Sequence, residues 1–295
     1  MLQRLCGALL VAVLLPSPAF AWGTAAHRAI MRRAIELLPP ELKTYFADRR
    51  EEMIARAIDP DMWRALDAEE DPNHFVNFGA PELGPFPFTA YPREYGAALQ
   101  KFGTTGLTRL GRLPFREAEV FGELQRAFEG VGKGNGVAVN NSYLMAAVAA
   151  HYLQDATQPL HASNNYDGQL TGQRGLHVRF EADLFERFEP RLTLTPAPPK
   201  AFTSARDLAF DLLLASQQRV DALLTADKEA IGARDTYDDA YYEAFFDKVK
   251  PIMEERLSAA ISATASVIVS AWEQAGRPNL HPNVTREPRK VQRTR

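Results

Sequence analysis

Apolar residues recur along most of this chain at the three- and four-residue spacing of amphipathic helices, and the strict alternation of a half-buried strand is nearly absent. Ile30, Met31, Ala34, Ile35 and Leu38 mark one face of a helix over His27–Leu38, which stops at Pro39-Pro40. Glu41–Ala57 reads as one or two short helices ending before Asp59-Pro60. Further helices are predicted over Arg93–Phe102, Glu117–Val131, Asn141–Asp155, Arg179–Phe188, Ala205–Leu224, Thr236–Val249 and Pro251–Glu273. Asn141–Asp155 is so apolar that it should be central and buried. Two stretches break the pattern. Asp67–Pro92 holds five prolines and several aromatics with no period, which predicts a long ordered loop of the kind that often carries function. Arg191–Lys200 is a proline-rich connection. No linker divides the helices and no repeat is visible, so one all-α domain is expected.

Both ends of the chain fall outside that domain. Arg4, the apolar run Gly7–Leu15 and the small residues of Ala19-Phe20-Ala21 fit a cleavable export signal over residues 1–21. The run is too short to span a bilayer. Cleavage after Ala21 would make Trp22 the N-terminus, with a free α-amine. Cys6, the single cysteine, would leave with the signal, so neither a disulfide nor a cysteine-based zinc site is expected. An exported, thiol-free chain fits a bacterial periplasm or the surrounding medium. At the other end, Arg286, Arg289, Lys290, Arg293 and Arg295 lie among prolines and predict a basic, disordered tail over 277–295, leaving 22–276 as the domain. That tail is either a solvated end or a contact for anionic lipid or nucleic acid.

Composition narrows the chemistry. The chain has 34 Lys+Arg against 37 Asp+Glu, which argues against a nucleic-acid binder that relies on a basic surface. Any metal chemistry must therefore use the six histidines and the carboxylates. Their spacing is suggestive. His151 and Asp155 stand at i and i+4, so both project from one helix face, and His177 and Glu181 repeat the arrangement. Between them, Gln158-Pro159-Leu160-His161 ends the first helix and returns a third imidazole to the same neighbourhood. Upstream, Asp61 and His74 bracket the loop, and Trp22-Gly-Thr-Ala-Ala-His27 opens the expected mature chain. Singly, each feature reads as well as core packing, a helix-surface hydrogen bond or a turn. Together they supply nitrogen and oxygen donors of the kind that zinc takes.

The order and spacing of these residues resemble the zinc-dependent phospholipase C / P1 nuclease family. The likeness runs from Trp22-Gly23…His27 through Pro60-Asp61…His74-Phe75 to His151, Asp155, His161, His177 and Glu181. It implies an all-α, multi-helix domain with a cleft for three Zn2+ ions. By position it also implies three ligand sets. Asp61, His74, His151 and Asp155 would hold the first ion. The Trp22 amine and carbonyl, His27 and the bridging Asp155 would hold the second. His161, His177 and Glu181 would hold the third, more open one. Asp59 is the alternative to Asp61, although the Pro-Asp pair and the following Trp63-Arg64 favour Asp61. Asp61 would in addition orient the attacking water or accept its proton.

The resemblance covers two substrate classes. Glu181 as last ligand, the short interval between His161 and His177, and the lack of disulfides lean toward phospholipids. The short Trp22-to-His27 spacing, and Phe75 as a surface on which a base could stack, lean toward single-stranded nucleic acid and 3′-nucleotides. The leading expectation is an exported phosphodiesterase of phospholipase C type, with the nuclease as alternative. A non-catalytic zinc-binding protein is the third reading. No protein partner is implied, and peripheral membrane contact is expected only on the lipid reading. Phe86, Phe88 and Tyr91 are read mainly as cover for the core, and His281 is given no role.

Overall fold

A computed structural model describes residues 22–280. The export signal read over 1–21 and the tail from His281 onward lie outside the described residues. Within them the chain is all-α, with helices joined by turns and no strand. In order, the helices are α1 (Thr24–Leu37), α2 (Pro40–Phe46), α3 (Arg50–Arg56), α4 (Asp59–Arg64), α5 (Tyr95–Leu110) and α6 (Leu113–Gly132). Then follow α7 (Gly136–Thr157), the single turn α8 (Leu176–Val178), α9 (Leu184–Phe188), α10 (Ala205–Gln217), α11 (Val220–Ile231) and α12 (Asp239–Gln274).

Local chemistry sets many of these limits. Asn135, Ser204 and Asp238 cap α7, α10 and α12 by accepting the first free amides with their side-chain oxygens. Prolines open α2, α4 and α6, where a missing N–H costs nothing. The predicted apolar helix is α7, and it is central, packed against α1, α3, α6, α10 and α12. Residues Ala146 to Ala150 are all buried, as an all-round apolar stretch requires.

The structure departs from the predicted boundaries where proline and glycine were read too simply. The preceding helix, α3, ends at Arg56 as expected, but Asp59-Pro60 then starts a further helix, α4, so Asp61 sits in a first helical turn and not in a terminating turn. Gly103, at φ 66°, breaks α5 near the predicted end, yet the helix resumes to Leu110. The single helix expected over Ala205–Leu224 is two, α10 and α11, parted at Gln218-Arg219. Conversely Pro251 lies inside α12, which runs unbroken through both predicted helices. Tyr241, Phe245, Phe246 and Val249 before it, and Met253 and Leu257 after it, are all buried. Burial on both sides outweighs the one hydrogen bond that proline forfeits. The ordered chain also extends past 276, because Trp272 Nε1 donates to the Pro278 carbonyl at 3.1 Å.

The loop between α4 and α5 is ordered, as its composition suggested, and it runs beside the segment that leaves α7. Val76 N–H donates to the His161 carbonyl at 2.9 Å, and Asn164 N–H donates to the Phe78 carbonyl at 2.8 Å. Phe88 and Tyr91 are buried in the core, whereas Phe86 is half exposed against Phe88. Gly111, at φ +85°, lets the chain pass this loop closely: a Cβ there would stand 2.1 Å from the Phe75 carbonyl oxygen. His74 and His161, far apart in sequence, are thereby held side by side.

Candidate metal centre

Eight of the nine residues expected as ligands meet through their side chains in one buried cluster. They arrive on separate elements: His27 on α1, Asp61 on α4, His74 on the turn Asp71–His74, His151 and Asp155 on α7, His161 on the turn Pro159–Ala162, His177 on α8, and Glu181 on the π-helical turn Arg179–Asp183. Three groups have donor atoms close enough to hold an ion: His27, His151 and Asp155; Asp61, His74 and His151; and His161, His177 and Glu181. Asp59, the alternative to Asp61, instead pairs with Arg56 at 3.1 Å and stays outside the cluster. Trp22 is buried, with its indole N–H on the Thr157 hydroxyl at 3.1 Å and its ring against Phe180.

Donor spacing tests the fit to a metal. Two atoms each about 2.0–2.1 Å from one tetrahedral ion lie about 3.3 Å apart. Here His151 Nε2 is 3.3 Å and His74 Nδ1 2.9 Å from Asp155 Oδ2, and those two nitrogens are 3.1 Å apart. His27 Nε2 lies 3.4 Å from the other Asp155 oxygen, so that carboxylate faces two groups at once. In the third group His161 Nε2 is 3.2 Å from His177 Nε2, which is 2.8 Å from Glu181 Oε2.

Tautomers strengthen the case. His151, His161 and His177 each turn Nδ1 to a main-chain carbonyl, of Ala57, His74 and Tyr166, at 2.8, 2.6 and 2.8 Å. His27 Nδ1 meets Gln154 Oε1 at 2.5 Å. An acceptor at Nδ1 keeps the proton there, so Nε2 presents a lone pair inward, as a ligand must. Lone pairs would then face each other across the cluster unless a positive charge separated them. Several inward atoms also lack any hydrogen-bond partner despite full burial: His27 Nε2, both Asp61 oxygens and Asp155 Oδ1. Partnerless buried atoms occur elsewhere too, at Arg28, Asn77, Glu117, Gln173 and Arg256, but among the described residues it is here that several share one group of ligand-type side chains.

Electrostatics agrees. Burial alone would lower the His151 pKa, but Asp155 and Asp61 beside it win and lift it to about 9. Burial raises the Asp155 carboxyl, yet His151 and the other imidazoles hold it well below the usual carboxylate range. Burial drives His161 well below its ordinary value, which keeps it neutral. Burial also lifts the Glu181 carboxyl, against the pull of His177, while Glu181 in turn raises His177. The cluster favours positive charge among its donors, of the kind a proton or a metal ion supplies.

A cavity of about 510 Å3 opens beside the third group, lined by His161, His177, Phe75, Leu160, Tyr166, Arg64, Arg109 and Asp71 among others. Phe75, a candidate from sequence, is thus in its wall. Arg64 was not foreseen as functional; it stands three residues after Asp61 on α4, 3.6 Å from that carboxylate, and also pairs with Asp71. Its i,i+3 spacing from Asp61 was the available signal. Gln154 and Gln158 had no comparable one, because a buried glutamine reaching a ligand shows no periodicity. Gln158 Nε2 donates to Glu181 Oε2 at 2.9 Å. The segment that carries His177 is anchored by a buried network in which Asp227 receives Arg179 at 3.1 Å, Gln173 at 2.7 Å and the Tyr241 hydroxyl.

Compared with protein-family models and with curated protein sequences, the chain gives no match. The residues of the cluster therefore carry the functional reading by themselves.

Proposed function

We propose that this protein is a zinc-dependent hydrolase of phosphate esters, built like the phospholipase C / P1 nuclease family that its sequence resembles and exported before it acts. One observation carries the reading: a buried set of imidazoles and carboxylates whose inward atoms have tetrahedral donor spacing, several of them without a hydrogen-bond partner, opening onto a cavity with a guanidinium in its wall. Three divalent ions held there would supply Lewis acidity, which acidifies a water and neutralises charge on a phosphoryl group.

The chain's own residues do the rest. Asp155 joins the first two groups, Asp61 has both oxygens available to orient a water or take its proton, and His161, His177 and Glu181 form the wall nearest the cavity. Arg64 lines the same cavity and is placed to bind a phosphate oxygen. Leu160 and the ring of Phe75 exclude water from that side. The Trp22 main-chain carbonyl, and its amine once processing frees it, would complete the second group.

Between the two substrate classes, the cavity wall offers a partner to each. Its guanidiniums are paired with carboxylates, Arg64 with Asp61 and Asp71 and Arg109 with Glu82. A choline head group would find Asp71 and the faces of Phe75 and Tyr166, and a base would find the same two rings. The lean toward phospholipids drawn from Glu181 and the short His161–His177 interval is therefore kept, with the nuclease as the alternative.

The test is a matched assay of single-stranded DNA, a 3′-nucleotide and phosphatidylcholine vesicles, with zinc-loaded and chelator-stripped protein. Turnover of phosphatidylcholine, lost in chelator, is expected, together with three zinc ions in processed protein and two in a chain retaining Ala21. Turnover of the single-stranded DNA and the 3′-nucleotide alone would favour the nuclease reading. A zinc-replete protein that hydrolyses none of them would leave the metals a structural role.

A further inference from the structure

His74 is held differently from the other four histidines of the cluster. His27, His151, His161 and His177 all point Nε2 inward and rest Nδ1 on a neutral oxygen. His74 is reversed: Nδ1 faces Asp155 and His151, and Nε2 faces outward, buried and without a hydrogen-bond partner, with Glu70 Oε1 3.5 Å away. Of the five outward nitrogens it is the one with a carboxylate that near; His161 Nδ1 comes no closer than 4.0 Å to Asp155.

Glu70 is itself fixed on every side. It is buried, Asn73 Nδ2 donates to its Oε2 at 3.0 Å, and the Tyr152 hydroxyl donates to its Oε1. Arg116 Nε donates to that hydroxyl in turn at 3.3 Å. Tyr152 follows the ligand His151 on α7, and its ring lies edge-on to both His74 and His151, with centroids 5.5 Å apart in each case. A helix, a loop turn and a neighbouring helix thus converge to hold one negative charge against the outer nitrogen of one imidazole.

We infer that Glu70 is a positioning residue for metal binding: it fixes the reversed orientation of His74 and, by its charge, makes the inward Nδ1 a stronger donor. The physical need lies in the charge count. Three divalent ions would face only Asp61, Asp155 and Glu181 as anionic side-chain ligands, an excess of positive charge that a carboxylate one shell out relieves without occupying a coordination position. His74 is also where that support spreads furthest, because its carbonyl accepts the Nδ1 proton of His161 in the third group.

The inference rests on the metal reading and is tested by metal retention, not activity. Full-length processed wild type, Glu70→Gln and Tyr152→Phe would be titrated against graded zinc chelators, with bound zinc counted by mass spectrometry. The Gln variant keeps the shape and the acceptor oxygen but removes the charge. One of its three ions is expected to bind about 10–100-fold more weakly while the other two are retained, and Glu70→Asp should recover part of the loss. Tyr152→Phe, which leaves the carboxylate in place, should lose less. The visible spectrum of the cobalt-substituted protein should shift in Glu70→Gln, since it reports ligand field and not stability. Retention of all three ions by Glu70→Gln at wild-type affinity would overturn the inference and leave the metal reading standing. Equal losses in Glu70→Gln and Tyr152→Phe would assign Glu70 to packing and overturn it as well. Wild type that takes up no zinc would remove the metal reading, and the inference with it.

Discussion

At the scale of single residues, the contrast between paired and unpaired burial separates function from cost. The carboxylates of the cluster are buried among imidazoles, and their orphaned oxygens point at a common centre. Glu117 on α6 is buried just as deeply, but neither of its oxygens has a partner and no ligand-like group surrounds it. Burial lifts its carboxyl well above the ordinary value of 4.5, with Arg116 only partly opposing. The folded protein therefore keeps a proton that the unfolded chain releases. The stability tied to this proton is full below about pH 4.5 and is lost as pH rises toward the raised folded value. Glu117→Met, similar in length and helix propensity, should gain about 1–3 kcal/mol at pH 8 and much less at pH 5. Urea unfolding at the two pH values checks this; an equal gain at both would mean that Glu117 is not carrying a proton.

At the scale of elements, the longest helix does more than fill the core. Glu254, Ser258, Ser262, Ser266 and Ser270 repeat every four residues along α12 and so share one face. They hold the proline-rich connection against the helix. Glu254 accepts the Thr193 amide at 2.6 Å, while Ser258, Ser266 and Ser270 accept those of Thr195, Lys200 and Phe202 at 3.0 Å each. Ser262 donates to the Ala197 carbonyl at 3.1 Å. An extended segment with no strand to pair with has its main-chain groups met by side chains instead. A groove of about 830 Å3 runs between this segment, α10 and α12, and shares no wall residue with the cavity at the metal centre. Ser266→Ala would leave the Lys200 amide unmet. It should cost about 1 kcal/mol and speed hydrogen exchange over 198–203 while leaving α7 unchanged. Exchange at the wild-type rate there would show that the serine ladder does not hold the segment.

At the scale of the molecule, the cluster is a knot as well as a candidate active centre. Its candidate ligands come from α1, α4, α7, α8 and three separate turns, so ions bound there would staple the N-terminal helix and the long loop to the middle of the chain. Without them, several buried donor atoms of the cluster keep no partner. Removing metal should therefore lower stability, not merely activity. Binding to the folded state alone contributes about 4 kcal/mol when free zinc exceeds Kd a thousandfold. Calorimetry with and without chelator should show a lower Tm for the stripped protein and recovery on adding zinc. An unchanged Tm would mean that the cluster binds no metal tightly.

Much of this could be read without a structure. Helical periodicity determined the all-α class, the central place of α7 and the ordered loop, because the 3.6-residue repeat of a helix writes itself directly into the order of apolar residues. The i,i+4 pairs His151/Asp155 and His177/Glu181 likewise had their geometry set by the helix alone. The start of α4 at Asp59-Pro60 and the continuations past Gly103 and Pro251 are not legible in the sequence, because a proline's or glycine's effect depends on its position in a helix and on the packing around it, neither of which is a local property. The same holds for the site. Residue types in order named the candidate ligands and favoured Asp61 over Asp59, but only tertiary structure reversed His74 toward Glu70 and put Arg64 and Tyr166 into one cavity wall. Those outcomes depend on contacts between residues far apart in the chain, where sequence records the partners but not their meeting.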